Sequence, residues 1–187
     1  MTVTPVLNRL DVLAFAREAN SAQGSLSWHS LPRLRDHVHE HVQGHANAEH
    51  TVQWQVSGQL RSVAGSAPQV WLHLRLHTSL PLVCQRCLEP MDALIAVDRW
   101  FRFVRDETQA LALDDELQED VLVLDPRFNL HALIEDELIL ALPLVPRHEA
   151  CPAPVKLAVA DVGFEAQHSP LPKPFARLDQ LVSGKKR

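Results

Sequence analysis

The chain has 187 residues, of which 46% are apolar, so it is long enough for one domain with a sizeable core. It carries 18 Lys and Arg against 23 Asp and Glu, a formal net charge of −5 with neutral His. This balance excludes a generic nucleic-acid coat, because non-specific binding depends on Lys and Arg that neutralise phosphates, so any RNA contact requires a local basic patch or a partner protein.

The first 49 residues predict a mixed helical and extended segment. Asp11 is placed to cap a short helix that includes Leu13, Ala14 and Ala16. The tract HVHEHV at 37–42 alternates His with other residues. This alternation suits the solvated face of a strand, and His-rich tracts also bind metals, so both interpretations stay open.

Residues 50–105 predict an antiparallel meander of at least three strands. Apolar residues occupy every second position in TVQWQV and QVWLHLRLH, and LIAVDRWFRFV is rich in Val, Ile, Trp and Phe. Such alternation gives a strand one buried and one solvated face. The connecting segments SGQLRSVAGSAP and CQRCLEPM have the composition of turns.

Residues 106–125 are acidic and contain no Lys or Arg. A charge run of this kind predicts a loose, solvated loop, with VLVL at 121–124 as a short strand near its end.

Residues 129–142 predict the main helix. Asn129 is placed at its cap, and apolar side chains recur at helical spacing. Those apolar residues are Leu130, Leu133, Ile134, Leu138 and Ala141. Pro143 and Pro146 follow the helix, and proline cannot continue the hydrogen-bond ladder. The helix is expected to lay this stripe on the sheet.

The predicted fold class is therefore α+β: an antiparallel β-meander, or a partly closed, barrel-like sheet, packed with one main helix. Residues 1–151 are expected to form a single domain. Residues 152–187 are Pro-rich and end in SGKKR, which predicts an extended C-terminal segment with a basic tail.

The cysteine content and the amino terminus favour a cytoplasmic location. Three Cys residues, two of them in a C-x-x-C pair, do not suit a secreted disulfide framework. The opening MTVTPVLNRLDVLAF lacks the basic start and apolar run of a signal peptide. No stretch approaches the ~20 apolar residues of a membrane span.

Three motifs in order resemble the large ribosomal RNA subunit accumulation protein family, YceD. The first is V-C-Q-R-C-L-E-P, from Val83 to Pro90. The second is N-L-H-A-L-I-E-D-E-L-I-L-A-L-P-L-V-P-R-H-E-A-C, from Asn129 to Cys151. The third is K-P-F-A-R-L-D-Q-L from Lys173. The resemblance implies a role in synthesis, processing or stability of large-subunit (23S) ribosomal RNA, with no catalytic activity. An adaptor that binds a ribosomal protein or a processing nuclease without touching RNA is the alternative.

The C-x-x-C pair is a candidate half of a zinc site, because two thiolates at this spacing can hold one face of a tetrahedral metal. The resemblance implies four Cys ligands in relatives from other bacterial groups, with a second C-x-x-C after the helix. This chain departs from that pattern and offers His148 and Cys151 there, so the candidate ligands are Cys84, Cys87, His148 and Cys151. The alternative is that the thiols are free or buried as small apolar groups. A redox motif is disfavoured, because the pair lies between antiparallel strands rather than at the start of a helix.

The candidate RNA or partner contacts are Arg86, Arg99, Arg102, Glu135, Asp136 and Glu137. Arg86 is equally consistent with an ordinary surface charge. Trp71 and Trp100 are able to stack on unpaired bases, although Trp100 is expected in the core. The three acidic residues cannot converge on one substrate atom, because adjacent helix positions point about 100° apart. A structural or partner-facing role, towards a basic ribosomal protein, is expected for them.

No nucleotide-binding glycine loop and no G-x-S-x-G elbow occur in the sequence. The sequence therefore predicts no enzyme, no small-molecule substrate and no cofactor other than zinc.

Overall fold

Strands in which apolar and polar side chains alternate form one five-stranded sheet in the computed structural model. The structure describes residues 7–38, 51–65, 67–114 and 120–152. Its strands, in the order β1-β2-β3-β4-β5, are neighbours in both sequence and space. They are β1 Ser21–Ser27, β2 Thr51–Arg61, β3 Gln69–Val83, β4 Pro90–Val104 and β5 Asp120–Val123. The first four pair antiparallel and β5 pairs parallel to β4. The α+β class is confirmed, but the sheet is mixed and open rather than partly closed.

The register gives this sheet an inner and an outer face. Gly58, Leu72 and Phe101 lie in one cross-strand row of the inner face, whereas Ser57, His73 and Trp100 lie in the adjacent row of the outer face. Leu72 and Phe101 are almost fully buried. The core therefore lies on the inner face, as the alternation in the sequence requires.

Helix α1, Val12–Arg17, packs on the inner face of β2. The Asp11 carboxylate accepts a hydrogen bond from the Ala14 N–H at 2.9 Å, which confirms the predicted cap. A Cβ atom at Gly58 would lie 2.7 Å from Phe15 Cδ1 and 2.9 Å from the Ala16 backbone. Glycine is required here by the close approach of the helix to the strand.

Helix α4, Leu130–Leu140, follows the predicted cap residue, since Asn129 Oδ1 accepts from the Ala132 N–H at 3.0 Å. Its buried stripe includes Leu130, Ile134 and Leu138, all without exposed surface. The helix is slightly shorter than the predicted 129–142. A short helix, α2 Pro32–Arg35, lies against α4, and a 3-10 turn at Trp28–Ser30 precedes it.

The acidic stretch is not a loose loop over its described residues, so that expectation is wrong there. It contains helix α3, Glu107–Asp114, which was not expected, and strand β5, Asp120–Val123, which confirms the short strand predicted at 121–124. The Asp106 carboxylate accepts from the Gln109 N–H at 2.9 Å, which caps α3. Leu122 of β5 packs against the core. Helix α3 could not be predicted from the sequence, because its residues are mostly exposed and form no apolar stripe.

Some predictions fall outside the described residues. They include most of the HVHEHV tract, the part of the acidic stretch at 115–119 and, apart from Pro152, the C-terminal segment 152–187. The described residues up to Cys151 cluster as one unit. Among the helices of the described ranges, none is long and apolar enough to cross a membrane.

Candidate metal centre

The turn between β3 and β4 holds the C-x-x-C pair. The Cys84 N–H donates to the Glu89 carbonyl at 2.9 Å, and the Leu88 N–H donates to the Cys84 carbonyl at 2.8 Å. Leu88 has a φ of 62°, a left-handed conformation that lets the chain reverse within a few residues. These hydrogen bonds bring Cys84 and Cys87 to the same side of the turn.

The segment after α4 lies alongside this turn. The Gln85 N–H donates to the Pro146 carbonyl at 2.8 Å, and the His148 N–H donates to Cys84 Sγ at 3.4 Å. Pro143 and Pro146 prevent the helix from continuing, so the chain turns back towards the sheet. His148 and Cys151 thereby reach the C-x-x-C pair.

Four candidate ligand atoms converge, one each from Cys84, Cys87, His148 and Cys151, all within 4.8 Å of one another. The Sγ atoms of Cys84 and Cys151 are 4.0 Å apart, and Cys87 Sγ is 3.4 Å from His148 Nδ1. A tetrahedral zinc ion with bonds of ~2.3 Å to sulfur separates two sulfurs by about 3.8 Å. The donor set and its spacing therefore fit one zinc ion.

A carbonyl oxygen orients the imidazole of His148. His148 Nε2 lies 3.0 Å from the Pro90 carbonyl oxygen, which can only accept a hydrogen bond. Nε2 therefore carries a proton, and in the neutral imidazole the lone pair of Nδ1 is directed at the cluster. Such a partner for the second ring nitrogen is usual for histidines that bind metals.

Arg86 lies over the same cluster. Its Nε donates to Cys151 Sγ at 2.9 Å, and its Nη2 donates to the His148 carbonyl at 3.0 Å. This guanidinium joins the two halves of the centre and places a positive charge beside the sulfurs. The Arg86 guanidinium therefore makes its hydrogen bonds within the protein, to the segment that contains His148 and Cys151.

The two thiols of the pair differ in acidity. Burial opposes ionisation of Cys84, but the backbone N–H groups of His148, Cys87 and Arg86 outweigh it and lower the pKa of the Cys84 thiol to about 5. Burial, together with the neighbouring sulfurs, raises the pKa of the Cys87 thiol to about 11. Without a metal, one sulfur of the pair is thus a stabilised thiolate and the other a neutral thiol.

Two of the acidic residues on α4 contact Arg33. The Arg33 N–H donates to Glu135 Oε1 at 2.6 Å, and the guanidinium contacts both Glu135 and Asp136. Glu135 is 4% exposed, so it is a buried structural residue of the fold. Asp136 is half-exposed and pairs at the surface.

The third acidic residue, Glu137, contacts Arg99. Glu137 is 5% exposed, and Arg99 lies 3.3 Å from it and 2.6 Å from Asp120. Burial raises the pKa of Glu137, and the charge of Arg99 only partly opposes this shift. Arg99 thereby joins β4 to α4 and β5, on the inner face of the sheet.

Arg102 and the two tryptophans lie on the outer face. Trp71 is paired in register with Arg102 and is buried, so it is not free to stack on a base. Trp100 is half-buried on this face rather than in the core, with its ring stacked on His73 at 4.1 Å. Arg61 lies over both indoles and was not predicted from the sequence, although period-2 alternation would have placed it on this face.

The chain matches the model of a known protein family. A model of the family described as large ribosomal RNA subunit accumulation protein YceD matches residues 72–182, more than half of the chain. The match covers both halves of the candidate metal centre. No solved structure matches the chain.

Proposed function

The chain belongs to the large ribosomal RNA subunit accumulation protein family, YceD, and from this we propose that it is a non-enzymatic factor for synthesis, processing or stability of the large-subunit ribosomal RNA. It acts in the cytoplasm, during ribosome biogenesis. The family match over residues 72–182 is the observation that carries this proposal.

We propose that Cys84, Cys87, His148 and Cys151 hold one zinc ion with a structural role. Three thiolates and an imidazole complete a tetrahedral shell and leave no open position for a substrate, which is the property of structural rather than catalytic zinc sites. The ion would join the turn between β3 and β4 to the segment after α4. A closed centre of this kind supports a non-enzymatic protein.

The candidate contacts differ in how available they are to a partner. Arg86, Arg99, Glu135 and Glu137 are held by hydrogen bonds and ion pairs within the chain, and Asp136 pairs with Arg33. Arg102, in contrast, lies on the outer face of the sheet, in register with Trp71. This distribution favours RNA contact through the sheet over partner contact through the acidic residues of α4.

The adaptor function is the second candidate, supported by the net charge of −5, which suits a basic ribosomal protein. A pull-down with the full chain, with and without ribonuclease treatment, separates the two. Partners that survive RNA digestion favour the adaptor, and partners that disappear on digestion favour the RNA factor.

Depletion of the protein in its native cell tests the main proposal. The ratio of 23S to 16S ribosomal RNA is expected to fall on depletion and to recover on expression of the wild-type chain. A ratio that stays constant while the protein disappears would overturn the proposed function.

A further inference from the structure

The outer face of the sheet carries a patch that the metal centre does not involve. We define this outer patch as the outward side chains of segments 53–61, 69–77 and 96–104, which pair with one another across β2, β3 and β4. Helices α1 and α4 pack on the inner face instead. The outward side chains include Gln53, Gln55, Gln59, Arg61, Trp71, His73, Arg75, His77, Asp98, Trp100 and Arg102.

At one end of the outer patch, the Arg61 guanidinium lies in the corner between two indoles, Trp71 and Trp100, whose ring planes meet at 74°. The Cζ atom of Arg61 is 4.0 Å from the ring centroid of Trp71 and 4.3 Å from that of Trp100. The His73 ring stacks on Trp100 at an interplanar angle of 4°. Contact with both indoles restrains the Arg61 side chain in advance, so less side-chain entropy remains to be lost when a ligand binds it.

Next to this cluster lies a groove of about 590 Å³. Its walls carry the amides of Gln23, Gln53 and Gln55 together with Arg75, His77 and the carboxylate of Asp98, which pairs with Arg75. Amide groups both donate and accept hydrogen bonds, and they match the edges of unpaired bases.

The charge of the outer patch is opposite in sign to that of the chain. The outer patch contains three arginines, Arg61, Arg75 and Arg102, and one carboxylate, Asp98. Its formal charge is therefore +2, whereas the whole chain carries −5. Asp98 pairs with Arg75, whose Nε lies 3.0 Å from one of its oxygens, and His73 Nε2 lies 2.6 Å from the other, so the net charge of the outer patch rests on Arg61 and Arg102. A basic ribosomal protein would be repelled here, and a polyanion attracted.

We propose that the outer patch binds a single-stranded segment of RNA. This inference rests on the proposed function and names the surface that would carry it out. The arginines contact phosphates, an unpaired base packs against the partly exposed cluster of Arg61, His73 and Trp100, and the glutamine-lined groove takes base edges. An unpaired segment is required, because base faces and edges are inaccessible to such a surface in an A-form duplex.

Fluorescence anisotropy of the full chain with a fluorescein-labelled 12-nucleotide RNA of mixed sequence tests the inference. Wild type is expected to bind the single strand at least ten-fold more tightly than the same sequence as a duplex. The triple variant Arg61→Gln, Arg75→Gln, Arg102→Gln is expected to bind it at least ten-fold more weakly. The slope of the logarithm of the binding constant against the logarithm of the salt concentration should also become shallower, by about 1 for each phosphate that an arginine no longer neutralises.

The matched control removes three exposed arginines outside the outer patch, by Arg9→Gln, Arg35→Gln and Arg127→Gln, with the same change in net charge. This variant is expected to bind within about two-fold of wild type, since only local charges contact the phosphates. A second test, Gln55→Glu, adds a carboxylate to the groove without removing a stacked side chain, and should also weaken binding. It keeps the inference testable if the triple variant does not fold.

Two results would overturn the inference: equally weakened binding in the triple variant and its control, or equal affinity for duplex and single strand. Failure of the inference is distinguishable from failure of the proposed function. If depletion lowers the ratio of 23S to 16S ribosomal RNA but the wild-type protein binds no RNA, the outer-patch inference alone fails. If RNA binds at the outer patch but depletion leaves the ratio unchanged, the proposed function alone fails.

Discussion

Glu135 on α4 accepts two hydrogen bonds from Arg33, one from its backbone N–H at 2.6 Å and one from its Nε at 3.0 Å, across 102 positions of the chain. The same carboxylate accepts the Leu34 N–H at 3.2 Å. Leu31 stands at the cap of α2 and offers no side-chain acceptor. Glu135 therefore caps α2 from another helix and satisfies N–H groups that would otherwise remain unpaired.

Replacing Glu135 with Gln should destabilise the fold by about 1–3 kcal/mol at pH 7, because it removes buried hydrogen bonds to a charged group. Asp136→Asn, which removes only a surface pair with Arg33, is the control and should cost less than about 1 kcal/mol. Urea unfolding at equilibrium measures both. A Gln variant as stable as wild type at pH 7 would show that the negative charge of the cap contributes nothing.

The contribution of Glu135 should also depend on pH. Burial opposes ionisation of Glu135, but the Leu34 and Arg33 donors outweigh it and lower the pKa of the carboxyl below its usual 4.5. A lowered pKa stabilises the folded state fully above the unfolded value, and this stabilisation is lost as the pH falls through the folded value. The free-energy difference between wild type and Glu135→Gln should therefore shrink when unfolding is repeated below pH 4.5.

Two positions further along, Glu137 should show the opposite pH dependence. Burial raises the pKa of Glu137 above 4.5, so its ionised form is the unfavourable one in the folded state. Wild type should gain stability relative to Glu137→Gln as the pH falls from the folded pKa towards the unfolded one. At pH 7, Glu137→Gln should destabilise the fold less than Glu135→Gln, because burial disfavours the ionised carboxylate at Glu137 whereas its neighbours favour it at Glu135. The same urea series measures this, and parallel pH trends for the two variants would contradict it.

Sequence periodicity predicted what depends on local pattern. The alternation in TVQWQV and QVWLHLRLH specified β2 and β3, and Asp11 and Asn129 marked two helix starts. Strand β5 was predicted from VLVL at 121–124, but helix α3 and the parallel pairing of β5 with β4 were not, for two physical reasons. The helix lacks an apolar stripe, and the parallel pairing of β5 with β4 follows a crossover that no local pattern encodes.

The spacing of Cys84 and Cys87 indicated half of the candidate ligand set, and the resemblance to the family indicated His148 and Cys151 as the other half. The partners of the charged residues were not predictable. Nothing near Glu135 in the sequence indicates that it caps a helix 102 positions earlier, and nothing near Arg99 indicates Glu137 as its partner. Such pairs are set by tertiary packing, so a partner-facing role for these residues was equally compatible with the sequence.

Gly58→Ala should destabilise the fold by about 1–3 kcal/mol through overpacking. The added Cβ would lie 2.9 Å from the backbone of Ala16, which cannot move aside as a flexible side chain would. Ser57→Ala, on the outer face of the same strand, is the control and should have little effect. Thermal unfolding measures both variants, and equal melting temperatures would show that α1 shifts freely on β2.

Zinc should be found in protein purified without a His tag, at about one ion per chain. Elemental analysis measures it, and a content below about 0.2 per chain would exclude the proposed centre. His148→Asn should remove the ion, because the imidazole is one of the four converging ligands. His77→Asn, an exposed histidine on the outer face, is the control and should retain it.

Removal of zinc by a strong chelator should lower the melting temperature by roughly 5–10 °C. A ligand present at about 100 times its Kd stabilises a protein by about 2.7 kcal/mol, and each kcal/mol moves the melting temperature of a chain this size by roughly 2–4 °C. The shift should be absent in His148→Asn and present in His77→Asn. A chelator effect that persists in His148→Asn would place the stabilising metal at other residues, because without His148 the centre retains only three thiols and no imidazole.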